Sequence, residues 1–142
     1  ASSKELKKWA VGVTARERKL MKAFWPGPLT LVFKARRGLH RELTGGSGKI
    51  GIRVSSDKTA RALCMLSGGA ITSTSANRSG EPPATTARIA GNKLGSQVDG
   101  IVISTTKKLK QINSTILDVS NIKLKILREG IIPKEKLIHA KF

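Results

Sequence analysis

Leu20-Met21-Lys22-Ala23-Phe24-Trp25-Pro26-Gly27-Pro28-Leu29-Thr30-Leu31-Val32-Phe33 is the stretch that decides the fold class. Its first half belongs to a helix: Thr14-Ala15-Arg16-Glu17 is a capping box, and Leu20, Met21, Phe24 and Trp25 continue from it as an apolar stripe at helical spacing. Pro26-Gly27-Pro28 stops that helix, because proline can neither donate to nor fit inside a continuing turn. Leu29 to Phe33 is then a short, nearly continuous apolar run, expected to form a strand buried on both faces. Helix, tight break and buried strand within so few residues point to an α/β or α+β sheet domain.

The same alternation continues outward. Residues 3–10 read as a short basic helix, and Arg36 to Gly48 as a basic, glycine-rich loop. That loop ends in Gly45-Gly46-Ser47-Gly48-Lys49, but Leu43 and Ile50 stand where a nucleotide P-loop needs Gly and Ser or Thr, which excludes it. Ile50-Gly51-Ile52-Arg53-Val54 is a strand with Ile50, Ile52 and Val54 on one face and Gly51 and Arg53 on the other. An arginine beside a glycine leaves room for an anion against the backbone, although a solvated edge-strand arginine has the same pattern. Asp57 to Leu66 reads as a helix opened by Ser55 or Ser56 and closed by Gly68-Gly69. Further expectations are a strand at Ala70 to Ser73, a helix from about Thr86 to Leu94 and a strand at Ile101 to Ser104. A basic turn at Lys107 to Lys110, a strand at Ile116 to Val119 and one at Lys123 to Arg128 come next, with a helix near Pro133 to Leu137 closing the chain. In the last strand, Leu124, Ile126 and Arg128 fall on one face by alternation, so Arg128 needs a partner anion there.

Composition bounds the chemistry. The 142 residues are enough for one domain with a real core, and no apolar run reaches the length of a membrane span. Cys64, the only cysteine, excludes an internal disulfide and a multi-cysteine zinc site; it lies in an apolar stripe and is expected buried, in a cytoplasmic protein. With 27 Lys and Arg against 9 Asp and Glu, the net charge of +18 attracts polyanions. Three Phe, two Trp and no Tyr give poor support to a platform that stacks single-stranded bases. His40 and His139 are not spaced for a metal pair or a triad, and no carboxylate pair is placed for acid–base work.

What remains is Thr72-Ser73-Thr74-Ser75-Ala76-Asn77-Arg78-Ser79-Gly80-Glu81-Pro82-Pro83, together with arginines and hydroxyls at strand ends: Arg53, Ser114 and Arg128. Five hydroxyls and an amide in a loop stiffened by prolines can converge on phosphate or carboxylate oxygens, or can form an ordinary Ser/Thr turn. Such a set binds oxyanions and orients substrates, the manner of phosphoryl or nucleotidyl transfer.

Taken in order, Phe24-Trp25-Pro26-Gly27-Pro28-Leu29-Thr30-Leu31-Val32, Ile50-Gly51-Ile52-Arg53-Val54, Thr74-Ser75-Ala76-Asn77-Arg78-Ser79-Gly80, Ser114-Thr115-Ile116-Leu117-Asp118 and Leu127-Arg128-Glu129-Gly130 resemble the YrdC/TsaC family, the threonylcarbamoyl-AMP synthases. The resemblance implies a twisted, open, mixed sheet flanked by helices, with a concave basic cleft, over a single domain spanning 1–142. It implies an enzyme that converts L-threonine, bicarbonate and ATP, with magnesium, into threonylcarbamoyl-AMP and pyrophosphate for the modification of tRNA. A threonylcarbamoyl-transferase complex would act downstream. By motif position Arg53, Ser73 and Ser114 would hold L-threonine, and Lys49, Ser75, Asn77, Pro83 and Arg128 the nucleotide, with no catalytic side chain or protein metal ligand assigned. Three features depart from the family pattern. Lys49 stands where a hydroxyl is usual, and Ser55 where a proline is usual. The family's N-terminal Lys-x-Arg element is absent, since the chain begins after its place and Lys34-Ala35-Arg36 lies in the wrong place for it; a fragment, a disordered or separate segment, or a loss of the activity would each account for this. The alternatives are a basic module that binds double-stranded RNA or tRNA without chemistry, and a YrdC-like piece of a larger carbamoyltransferase.

Overall fold

Leu29–Ala35 (β2) is the strand on which the others assemble. The structure, a computed structural model, describes residues 1–103 and 113–139, so the expected basic turn at Lys107 to Lys110 lies outside the described residues. These residues divide into two compact units, Ala1–Ile71 with Asn113–Phe142, and Thr72–Ile112.

In the first unit, Lys49–Ile52 (β3) runs antiparallel along one edge of β2, with Ile52 opposite Leu31 and Lys49 opposite Lys34. Thr115–Asp118 (β4) runs parallel along the other edge, with Leu117 also opposite Leu31. Ala10–Val11 (β1) pairs antiparallel with the last two residues of β2, and Lys125–Arg128 (β5) pairs antiparallel with β4. The sheet is mixed and open. Ala15–Phe24 (α1), Arg41–Thr44 (α2), Lys58–Leu66 (α3) and Lys134–His139 (α5) complete the unit. This is the expected mixed α/β architecture.

One face of the sheet is buried. Leu29, Leu31, Phe33, Leu117 and Val119 pack with Leu20 of α1 and Leu137 of α5, and Ile50, Ile52, Leu124 and Ile126 close around them. The other face is half-open: Thr30 and Val32 are only partly covered, so β2 is not buried on both faces as its composition suggests. Residues 3–8 form a 3-10 rather than an α-helix, and α2 interrupts the expected loop at 36–48. α3 is capped by Asp57, whose carboxylate accepts the Ala60 N–H at 2.7 Å, and not by Ser55 or Ser56. Cys64 on α3 is half-exposed rather than buried.

The second unit contains Ala87–Leu94 (α4), whose cap Thr86 accepts the Ile89 N–H. Residues 70–73 and 101–103 are not strands, and none of the described residues of this unit is buried. Their apolar runs have the composition of strands but no neighbouring strand to pair with, and an extended segment without a ladder is not a stable element. None of the described helices is long and apolar enough to cross a membrane.

The start of α1 is tied down by a charge. Glu17, 1% exposed, accepts from the amide and hydroxyl of Thr14, and Arg16 Nε donates to it at 2.8 Å. The Arg16 guanidinium also donates to the carbonyls of Asn121 and Ile122, which fastens α1 to the loop after β4. Burial pushes the Glu17 carboxyl up, but these hydrogen bonds outweigh it and hold the group below its ordinary value of 4.5. A carboxyl lowered on folding stabilises the fold fully above its ordinary value, and that contribution disappears as pH falls through the folded value. Glu17→Gln should therefore cost about 1–3 kcal/mol at pH 7, the range for losing hydrogen bonds to a buried charged group. The difference from the parent chain should shrink below pH 4.5, measured by urea unfolding at several pH values. A pH-independent difference would show that the ionised form is not what stabilises the helix start.

Candidate functional site

Strand alternation places Thr30, Val32 and Lys34 of β2, Lys49 and Gly51 of β3, and Ile116 and Asp118 of β4 on the half-open face, with Ser114 just ahead of β4 on the same alternation. Arg53 follows on the same alternation just past β3 and is exposed; among the described residues it forms no ion pair. Gly51 keeps the middle of the face low: a Cβ there would sit 3.5 Å from the Thr30 methyl and 3.8 Å from a Val32 methyl.

Arg128 reaches this face by a route that alternation does not show. Opposite β4 the register advances from Ile116–Arg128 to Leu117–Ile126, so Leu127 is an extra residue and the ladder carries a β-bulge. Ile126 packs into the core while Arg128 turns to the opposite face, which corrects the expectation that Leu124, Ile126 and Arg128 lie together on an apolar face. The partner of the guanidinium is not an anion but Ser114. Nε and Nη2 donate to its carbonyl oxygen at 3.2 and 3.0 Å, and Nη2 donates to its Oγ at 3.1 Å. Ser114 Oγ lies 2.9 Å from Thr30 Oγ1, so two hydroxyls and a guanidinium meet at one end of β2.

Gly130 makes that meeting possible. A Cβ on it would collide with the backbone from Asn113 to Thr115, so the chain after β5 lies directly on the segment that presents Ser114. Ile131 N–H donates to the Asn113 carbonyl at 3.1 Å, and the buried Thr115 hydroxyl donates to the Ile132 carbonyl at 2.7 Å.

At the middle of the face Lys49 Nζ crosses β2 to Asp118 Oδ2 at 2.8 Å, and Asp118 Oδ1 accepts the Ser120 N–H, also at 2.8 Å. Burial raises the Asp118 carboxyl, but Lys49 and Ser120 prevail and hold it below its ordinary value. Lys49 is therefore committed to a carboxylate. Val32, Gly51, Lys49, Asp118 and Leu127 line a concavity of about 1010 Å³ on this face.

Of the residues singled out in the sequence, the first unit gathers Lys49, Arg53, Ser114 and Arg128 on one sheet face, and it brings Ser114 and Arg128 into contact. In the second unit Ser73, Ser75 and Pro83 are exposed on the hydroxyl loop. Asn77 acts as the clasp of that loop: its Nδ2 donates to the carbonyls of Arg78 and Glu81, both at 2.9 Å, while its Oδ1 is buried with no partner. Thr30 and Asp118 were not singled out. Thr30 sits inside an apolar run, where its hydroxyl reads as a strand former, and the tie to Asp118 depends on a residue sixty-nine positions away. His40 is on the surface beside Glu42. Among the described residues no group of three or more His, Cys, Asp or Glu could hold a metal ion.

A family model named Sua5/YciO/YrdC and described as "Telomere recombination" matches residues 1–130. The threonylcarbamoyl-AMP synthase of Idiomarina loihiensis is 45% identical over 82 residues, which cover 58% of this chain and 44% of that protein. That of Thiobacillus denitrificans is 38% identical over 115 residues, covering 81% of this chain and 59% of that protein. The chain thus spans about half the length of these curated relatives. A crystal structure of Sua5 from Pyrococcus abyssi complexed with L-threonine matches the fold with a TM-score of 0.87 at 31% identity, over 99% of this chain and 42% of that one.

Gly130→Ala should force the turn after β5 off the Asn113–Thr115 backbone and draw Arg128 away from Ser114. Overpacking against backbone costs about 1–3 kcal/mol. Thermal unfolding and the amide chemical shifts of Ser114 and Thr115 would report it, and parent-like values of both would refute the close-packing role.

Proposed function

The chain belongs to the Sua5/YciO/YrdC family, and from that premise we propose that it makes threonylcarbamoyl-AMP from L-threonine, bicarbonate and ATP, releasing pyrophosphate. The observation that carries the reading is the likeness, over 99% of the chain, to a fold solved with L-threonine. In the reaction the threonine amine attacks the carbon of bicarbonate and water departs. An oxygen of the resulting carbamate then displaces pyrophosphate at the α-phosphorus of ATP. No side chain need form a covalent bond with the substrates; the demands are orientation and charge stabilisation.

The half-open sheet face carries groups of that kind. Arg53, exposed and unpaired among the described residues, would take the threonine carboxylate in a bidentate pair. The Ser114 hydroxyl, held against Thr30 and Arg128, would be a fixed hydrogen-bonding group for the same substrate. Arg128 gives Nε and Nη2 to Ser114, which leaves Nη1 for a phosphate oxygen. Lys49 would serve the nucleotide only by sharing its ammonium with Asp118 or leaving it. Ser73, Ser75 and Pro83 enter the proposal through the resemblance alone, and Asn77 would act chiefly by closing its loop. Magnesium would arrive on ATP, whose phosphates and water are its usual ligands. We place the reaction in the cytoplasm, in the modification of tRNA, with the threonylcarbamoyl group passed on to a transferase complex. A reading without chemistry, contact with RNA through phosphates alone, is favoured by the net charge of +18.

Pyrophosphate release from ATP should require both L-threonine and bicarbonate. Arg53→Ala should weaken L-threonine and Arg128→Ala should weaken ATP, each by about 2–4 kcal/mol where the charge pair is desolvated. Release that ignores threonine, or variants that bind both ligands like the parent, would defeat the assignment. Binding of RNA that falls steeply with salt, with no turnover, would favour the second reading.

A further inference from the structure

At the opposite end of β2 from Ser114, the same face opens into another concavity, of about 800 Å³. Lys34, Arg36, Arg37 and Lys49 line it with Ser120, and among the described residues no carboxylate does. Lys34, Arg36 and Arg37 take part in no ion pair among the described residues; Lys49 alone is paired, to Asp118. The chain itself fixes part of this array. Arg36 donates its amide to the Trp9 carbonyl at 2.9 Å and its Nη1 to the Lys7 carbonyl at 3.0 Å, so the guanidinium is held in place without a ligand. Lys34 is held at the β1–β2–β3 junction, opposite Val11 on one side and Lys49 on the other.

Ser120 belongs to the wall of the concavity: it is 8% exposed, gives its N–H to Asp118 and keeps its Oγ buried. The crowding of like charges in one concavity is costly. An oxyanion entering it neutralises the cations. Two guanidinium groups favour a tetrahedral phosphoryl group, whose oxygens can meet several donors at once, over a single carboxylate.

We propose that this concavity is a phosphoryl-anion site, separate from the Thr30–Ser114–Arg128 cluster, which lies about 13 Å away along β2 at the usual rise of a strand. Its ligand is the phosphoryl group of a free phosphate or pyrophosphate, or a phosphodiester of a nucleic acid backbone. The inference rests on this geometry and not on the reaction proposed above.

Two double variants test the site. Lys34→Gln with Arg37→Gln removes two charges from the concavity, and Lys19→Gln with Lys22→Gln removes two from the exposed side of α1. Inorganic pyrophosphate is titrated calorimetrically, and a short labelled RNA duplex by fluorescence anisotropy, both at fixed ionic strength. Lys34→Gln with Arg37→Gln should weaken at least one probe by about tenfold or more, the effect of losing charge-assisted contacts, while the α1 pair stays within about twofold. Loss confined to pyrophosphate marks a free-anion site, and loss that includes the duplex marks a phosphodiester site. Equal losses in the two double variants would reveal only the general field of the protein and overturn the site. Unchanged affinities, or no measurable binding of either probe by the parent chain, would overturn it as well.

Discussion

The first unit depends on β2 having both of its edges paired at the same residues. Leu31 has Ile52 across one edge and Leu117 across the other, so the inward-facing side chains of three strands are set by a single register. A slip of one residue along either edge would exchange the core face for the open face, carrying Leu117 outward and Asp118 inward. The burial of a carboxylate without its lysine makes such a slip expensive. Core packing and the layout of the polar face are therefore two results of one constraint.

What the sequence makes legible follows from how locally each feature is determined. The capping box at Thr14 and Glu17, the stop at Pro26-Gly27-Pro28 and the apolar run of β2 are written in adjacent residues, and all three are present. The bulge at Leu127 is not, because period-2 reading assumes an uninterrupted ladder and only the β4 register shows that one residue is extra. This is why alternation places Arg128 on the apolar face while the bulge turns it to the other. The expected strands are missing at 70–73 and over the described residues 101–103 for a related reason. Composition reports that a segment suits a pleated surface, whereas a strand also needs a partner edge. The β2 hydroxyl at Thr30 was hidden in the opposite sense, since threonine inside a strand ordinarily needs no further explanation.

The candidate site shows the same division. That Arg53 and Ser114 share a face follows from strand identity and spacing, Arg128 joins them only through the bulge, and the family's motifs point to all three individually. How they are held does not follow from spacing. Ser114 is fixed by a glycine sixteen residues later that lets one backbone lie on another, and by an arginine that gives its hydrogen bonds to the serine before any ligand is considered. Groups fixed in this way lose little freedom on binding, which favours recognition of a small rigid substrate over an adaptable one.

Charge distribution supplies the remaining constraint. A net charge of +18 would suit almost any anion if it were spread evenly, but the carboxylates are not spread evenly. Glu17, Asp57 and Asp118 are each committed to a helix start or a neighbouring loop, so they stiffen the scaffold and compensate few of the cations around them. Asp118 is the exception with a consequence for ligands. By holding Lys49 it places one compensated ammonium between two stretches of uncompensated positive charge, at Arg128 and at Lys34, Arg36 and Arg37. An anion that settles at either stretch competes with Asp118 for Lys49 only if it reaches the middle of the face. A ligand long enough to do so gains a third cation but must leave Asp118, 9% exposed at its side chain, without its partner. The pair thus penalises extended anions relative to compact ones, and the ladder register that built the core sets the length at which that penalty begins.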